Sequence, residues 1–196
     1  MRTFIVIVLC LMTFLAAHPS ALPSNDYKKQ VVDDVEKMAK QSQVMVDMVF
    51  SFGELAFHEV ETSKYLTGIL RKEGFRVEHG IAGIPTAWIA TWGSGKPTIA
   101  LGSDVDCIPQ ASQKPGVAYH DPLIEGAPGH GEGHNSGVPL NITAAIAVKR
   151  LMERAKLPGT IKVWPGVAEE LVAGKAYFVR AVMELFPGCP NEGAEV

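Results

Sequence analysis

The sequence has little cysteine, no cluster of basic residues and no apolar run long enough for a transmembrane helix. Three cysteines in 196 residues exclude a disulfide-dense scaffold. Lysine and arginine number 18 against 21 acidic residues, and their scatter along the chain argues against nucleic acid as a partner. With 47% hydrophobic and 20% charged residues, the composition is that of a globular protein with one domain of ordinary size.

The longest apolar run lies at the N-terminus and is typical of a secretory signal peptide. Arg2 precedes an apolar stretch from Phe4 to Ala17, which small and turn-forming residues follow. The stretch is about 14 residues long, whereas a helix that crosses a bilayer needs roughly 20. We therefore expect residues 1–21 to be removed on export, and the mature protein to be secreted or periplasmic without membrane contact. An N-terminal anchor is the alternative.

The cysteines carry little further information. Cys10 falls within the expected signal peptide, while Cys107 and Cys189 could pair in an oxidising compartment but show no framework spacing. Cys107 stands among apolar neighbours, and free cysteine is among the most buried residue types. We expect Cys107 to be a buried free thiol.

Hydrophobic periodicity predicts alternating helices and strands. Helices are predicted over residues 27–48, 62–74, 139–155 and 169–185, and strands over residues 75–79, 86–92, 97–101 and 160–164. The turn Gly93-Ser94-Gly95-Lys96 predicts a hairpin between the second and third strands. The helix before the last strand predicts a parallel crossover. The expected fold is an α/β three-layer sandwich with a mixed sheet.

The same turn resembles the end of a phosphate-binding loop, but the match fails at two positions. Ala90 stands where that loop has glycine, and Pro97 stands where serine or threonine would bind magnesium. A nucleotide-binding function is therefore not supported.

Candidate chemistry gathers near the ends of predicted strands, where open α/β sheets bind their ligands. Residues 103–109 carry Asp104 and Asp106, and alternate residues of a strand share a face, so both acids can point into one site. A solvated loop with an aspartate turn is the alternative for this cluster taken alone.

Two more clusters follow along the chain. Residues 130–135 set Glu132 and His134 among glycines that let a loop fold both side chains onto one divalent ion, although such loops also occur as simple turns. The strand that ends near Trp164 leads to Glu169 and Glu170 at a helix start, where acids also complement the helix dipole. The functional alternative makes one glutamate a metal ligand and the other a general base.

The order of these motifs resembles the M20 peptidases, specifically the aminoacylase and aminobenzoyl-glutamate hydrolase branch. Asp-x-Asp-x-x-Pro after a strand, Gly-x-Gly-His-Asn before a helix and Ala-Glu-Glu followed by Val-Ala-Gly-Lys carry the resemblance, together with residues 54–59. It covers about residues 30–180. It implies the N-terminal part of a catalytic domain of the zinc-exopeptidase type, over residues 22–196.

The resemblance also implies roles for single residues. Asp106 would support the metal site, His134 and Glu170 would be metal ligands, Glu169 would be the general base and His130 would be structural. The implied reaction is hydrolysis of an amide bond in an N-acyl amino acid or a short peptide, a small-molecule substrate.

The first departure from the family pattern is at Glu132, where this branch usually has cysteine. A carboxylate can also bind or bridge metal ions, so Glu132 remains a candidate ligand. It favours a harder ion, which leaves zinc, manganese and cobalt open.

The second departure is length, since family members are roughly twice as long. They often homodimerise through an inserted domain and receive further histidine ligands from a C-terminal segment, and we expect this chain to lack both. We expect this chain alone to bind a divalent metal weakly and to show no appreciable amidohydrolase activity. The alternative function is an inactive homologue with a partial metal site that acts as a binding module.

Overall fold

The computed structural model describes residues 24–185, so the expected signal peptide, Cys10 and Cys189 lie outside the described residues. The helices are α1 (Ser24–Lys37), α2 (Ala39–Phe52), α3 (Val60–Lys72), α4 (His134–Ala155), α5 (Glu169–Val172) and α6 (Lys175–Leu185). The strands are β1 (Arg76–His79), β2 (Trp88–Ser94), β3 (Thr98–Asp104) and β4 (Gly159–Gly166). Within residues 24–185, none of the helices is both long and apolar enough to cross a membrane.

The strands form one mixed sheet in the order β1-β2-β4-β3. The pairs β1 with β2 and β2 with β4 are antiparallel, whereas β3 and β4 run parallel. The predicted α/β class and mixed sheet are therefore confirmed, and so is the parallel crossover through α4.

The predicted hairpin between β2 and β3 is wrong, because β4 lies between them. Of the four strands, β4 has the largest share of buried residues, with Ile161 and Val163 almost completely enclosed. Such a strand gains most from neighbours on both sides, which places it inside the sheet. The Gly93–Lys96 turn therefore separates two strands that both pair with a third.

Helices cover both faces of the sheet. Lys149 of α4 lies over the ring of Trp92, and Trp92 is in register with Ile161, so α4 covers the face that carries Ile161 and Val163. On the opposite face, Trp164 contacts Phe178 of α6 at 5.4 Å between ring centroids. The layers are thus helices, sheet and helix, which is the predicted sandwich.

Two predicted helices are each divided in the structure. The first breaks at the buried Met38, whose φ of −96° and ψ of 2° leave the helical region, and both α1 and α2 then pack on α4. The last breaks after α5 at Ala173, which is left-handed, and at Gly174, where a side chain would meet the backbone of Val167. Periodicity is preserved across such breaks, which explains why it predicted single helices.

Candidate metal centre

The parallel strands β3 and β4 bring the acidic pair Asp104 and Asp106 and the paired glutamates to the same end of the sheet, beyond the C-terminal ends of the strands. β3 ends at Asp104 and β4 ends beside it at Gly166, because the two residues are in register. The chain then continues into Asp106 on one side and into Glu169 and Glu170 on the other. Gly166 is required here, since a Cβ at this position would collide with the Asp104 carboxylate. These acids thus follow the C-terminal ends of two neighbouring parallel strands.

The glycine-rich loop brings Glu132 and His134 to the same end of the sheet. The bridge between Ile108 and Gly129 holds the base of the loop against the segment that follows β3. Gly133 then adopts a φ of 102°, a conformation that favours glycine, and α4 begins at His134. The turn leaves Glu132 exposed and buries the imidazole of His134.

Glu132, His134 and Glu170 converge, with one potential ligand atom of each lying within 4.8 Å of the others. The Nε2 atom of His134 is in contact with the carboxylate of Glu132. Its Nδ1 atom lies 3.8 Å from Oε1 of Glu170 and 3.1 Å from the backbone oxygen of Asp106. If Nδ1–H donates to that carbonyl, the lone pair of Nε2 is directed towards Glu132.

Asp106 is buried behind this cluster and fixes two of its members. Its side chain is 0% exposed. Oδ2 accepts a hydrogen bond from the Glu170 backbone N–H at 3.0 Å, and Oδ1 lies 3.5 Å from Nδ1 of His134. This geometry suits a residue that orients ligands from behind, the role that the family resemblance implies.

The donor set suits a divalent cation. Buried carboxylate oxygens are normally hydrogen-bonded, yet Oδ1 of Asp104 and Oδ1 of Asp106 have no hydrogen-bond partner among the described residues. Burial raises the pKa of Glu170, and the negative charges of Glu169, Asp106 and Glu132 add to the rise against the attraction of His134. A bound cation would relieve this repulsion. Two carboxylates and an imidazole match zinc, manganese or cobalt.

Glu169 lies beside the ligand cluster and faces a lysine whose role the sequence did not indicate. Lys175 donates to Oδ2 of Asp104 at 2.7 Å, and its Nζ lies 3.8 Å from Oε1 of Glu169. Burial acts to lower the pKa of Lys175, but the hydrogen bond to Asp104 and the charges of Asp104 and Glu169 outweigh it and raise the pKa. Lys175 is therefore a fixed cation between the two acids.

His130 lies apart from the ligands. Its Nε2 atom lies 3.1 Å from the backbone oxygen of Val49, and its ring lies 6.3 Å from that of Phe50. Burial lowers the pKa of His130, which favours the neutral imidazole. These contacts tie the loop to α2 and agree with the structural role implied by the resemblance.

Cys107 is a buried free thiol, as expected. Burial and the neighbouring Asp106 raise its pKa to about 12. Because the thiolate is the reactive form, we expect iodoacetamide at pH 8 to modify Cys107 at least about tenfold more slowly in the native protein than in the urea-unfolded protein. The measurement uses a Cys10→Ser/Cys189→Ser variant and mass spectrometry. Equal rates in the two states would show that the thiol is accessible.

The chain is similar in sequence to several hydrolases. It is 34% identical to a subunit of the p-aminobenzoyl-glutamate hydrolase of Escherichia coli over 150 residues, which are 76% of this chain and 31% of that protein. It is 34% identical to thermostable carboxypeptidase 1 of Saccharolobus solfataricus over 87 residues, covering 40% of this chain and 22% of that protein. The chain thus spans about a third or less of these curated relatives. No protein-family model matches it.

Solved structures share the fold. A dinuclear metal-binding peptidase of the M20 family from Bacillus subtilis superimposes with a TM-score of 0.54 and 23% identity, over 82% of this chain and 41% of that one. An aminobenzoyl-glutamate utilization protein from Klebsiella pneumoniae gives a TM-score of 0.53 and 16% identity, over 76% of this chain and 43% of that one. At these identities the likeness establishes the fold.

Proposed function

We propose that this chain is the N-terminal part of a catalytic domain of the M20 peptidase family, and that this domain hydrolyses amide bonds in N-acyl amino acids or short peptides. The sequence similarity to the E. coli hydrolase subunit and the fold shared with an M20 peptidase support the proposal. The observation that carries the proposal is the convergence of Glu132, His134 and Glu170 within 4.8 Å. The substrate class is supported by the relatives, of which one belongs to a p-aminobenzoyl-glutamate hydrolase and another is a carboxypeptidase.

In this proposal Glu132, His134 and Glu170 hold a divalent ion, with zinc the first candidate and manganese or cobalt the alternatives. Such an ion supplies Lewis acidity, which polarises an amide carbonyl and eases the deprotonation of water. Asp106 keeps the His134 imidazole and the Glu170 backbone in place through the contacts described above.

The proton transfers are assigned to Glu169. Its carboxylate takes a proton from the attacking water and then delivers it to the leaving amine, so that one residue serves as base and acid in turn. Lys175 lies close enough to hold the Glu169 carboxylate at the edge of the ligand cluster. The proposed substrate is a small molecule. The E. coli relative is one subunit of p-aminobenzoyl-glutamate hydrolase, which supports the proposal that this protein also assembles with further chains.

A chimeric enzyme tests this function. The matched 150-residue segment of this chain replaces the corresponding segment of the E. coli hydrolase, and hydrolysis of p-aminobenzoyl-glutamate is followed with and without a chelator. We expect the folded chimera to retain hydrolysis that a chelator abolishes and that added zinc, manganese or cobalt restores. A folded chimera that binds metal but has no turnover would contradict the proposed function and favour a binding module.

We also propose that the chain is exported, on the basis of Arg2 and the apolar run from Phe4 to Ala17. Expression of the full sequence in a bacterial host should yield periplasmic protein whose N-terminus falls between residues 18 and 22. Intact mass measurement of that fraction checks the cleavage. An intact Met1 in the cytosolic fraction would refute the proposal.

A further inference from the structure

Glu59 is a completely buried acidic residue that joins two distant parts of the chain. It is 0% exposed. Its Oε2 atom accepts a hydrogen bond from the Thr86 hydroxyl at 2.7 Å, and Oε1 accepts one from the Ala168 backbone N–H at 2.9 Å. Burying a carboxyl group costs free energy unless the group is hydrogen-bonded. The two hydrogen bonds of Glu59 therefore offset the cost of its burial and indicate a role in holding Thr86 and Ala168.

The Glu59 side chain does not cap its own helix. Glu59 stands at the N-cap of α3 without a side-chain capping bond. Instead, the carboxylate of Glu54 accepts hydrogen bonds from the backbone N–H groups of Glu61 and Thr62 at 2.8 and 2.9 Å. The side chain of Glu59 is thereby directed away from α3 and towards the segment that follows β4.

The backbone that Glu59 holds is strained and lies next to the metal centre. Ala168 has a φ of 57° and a ψ of 34°, a left-handed conformation that residues with a Cβ rarely adopt. The next two residues are Glu169 and Glu170. Two buried acids therefore hold the amides on either side of Glu169, since Glu59 binds the N–H of Ala168 and Asp106 binds the N–H of Glu170.

Thr86 completes the support. Its hydroxyl donates to Glu59, and its backbone oxygen accepts a hydrogen bond from the Ser63 hydroxyl at 2.7 Å. Glu59 is the N-cap of α3 and Ser63 lies in its first turn, so the start of this helix, Thr86 two residues ahead of β2 and the turn after β4 form one hydrogen-bonded unit. This unit places the turn of Ala168 relative to the sheet.

We propose that Glu59 is a positioning residue for the metal centre: by binding the N–H of Ala168, it keeps the left-handed turn that directs Glu169 and Glu170 to the site. The inference rests on the proposed function for its metal, but the placement of the turn can be measured without one. Glu59 acts through Ala168 and contacts neither substrate nor metal.

The test compares Glu59→Gln and Glu59→Leu in the full chain. Glutamine retains an oxygen that accepts from Ala168, whereas leucine has a similar size and no acceptor. We expect Glu59→Leu to weaken zinc binding by about tenfold or more in calorimetric titration, as for other supporting residues of metal sites. We expect Glu59→Gln to remain within about threefold of the wild type, because it restores the bond to Ala168.

Amide hydrogen exchange followed by NMR supplies the metal-independent measurement. In metal-free Glu59→Leu, the amides of Ala168 and Glu170 should exchange at least about tenfold faster relative to those of β4. Leu70→Ala on α3 is the matched control, since Leu70 is fully buried in the core. This variant should lower the melting temperature while leaving zinc affinity and the relative exchange of Ala168 unchanged.

Each outcome decides the inference. The positioning role is wrong if, in Glu59→Leu, amide exchange at Ala168 and Glu170 accelerates no more than amide exchange in β4. It is also wrong if this variant binds zinc with the same affinity as the wild type. If Glu59→Leu does not fold, Thr86→Val removes the donor to Oε2 and should still accelerate exchange at Ala168; no acceleration would overturn the inference. If the wild type binds no zinc, the proposed function fails, and hydrogen exchange alone decides the role of Glu59.

Discussion

Replacing His134 by alanine is expected to weaken zinc binding by about 10²-fold or more. His134 is the nitrogen donor of the candidate ligand set, and it lies between Glu132 and Glu170. Its loss leaves two carboxylates, of which Glu132 is 63% exposed at its side chain and poorly fixed. Supporting residues alone change metal affinity by about 10- to 100-fold, so a direct ligand should have at least the larger effect.

The measurement is direct calorimetric titration of the protein with zinc. His79→Ala is the matched control, because His79 lies on β1 at the opposite edge of the sheet from β3. We expect this control to bind zinc as the wild type does. Equal zinc affinity of the His134→Ala and wild-type proteins would exclude His134 as a ligand.

In the chimera with the E. coli hydrolase, Glu169→Gln is expected to lower kcat by a factor on the order of 10² or more, with metal content nearly unchanged. Glutamine fills the same space but cannot accept the proton of the attacking water, which removes general-base catalysis. Glu170→Gln should instead lose metal, because Glu170 belongs to the converging ligand set. The measurements are steady-state kinetics and metal analysis of the same preparations.

Glu153→Gln is the control for this pair, since Glu153 forms an ion pair with Lys149 on α4, outside the ligand cluster. It should keep both turnover and metal content. Equal metal loss in the Glu169→Gln and Glu170→Gln variants would show that the assignment of one glutamate as base and the other as ligand is wrong.

The candidate site could be assembled from the sequence because its residues follow strand ends and a glycine-rich turn. Asp104 and Glu170 are distant in sequence. They lie close together because β3 and β4 run parallel, so both strands end at the same end of the sheet. The crossover through α4 is a local pattern of strand, helix and strand, so it was predictable.

Contacts that depend on packing across the sheet were not predictable. The Gly93–Lys96 turn has good hairpin residues, but the pairing of β2 and β3 was decided by β4, which begins at residue 159 and occupies the position between them. The ion pair of Lys175 with Asp104 and the bond of Glu59 to Ala168 also join segments whose approach depends on tertiary packing. No periodicity indicates such a contact.

The roles of Glu132, His134 and Glu170 as ligands of one divalent ion are tested most directly by locating zinc in a crystal. Crystals grown with zinc and measured at the zinc absorption edge should show one anomalous peak about 2.0–2.2 Å from ligand atoms of all three residues. A peak bound elsewhere, or none at these residues under saturating zinc, would contradict the assignment of this metal centre.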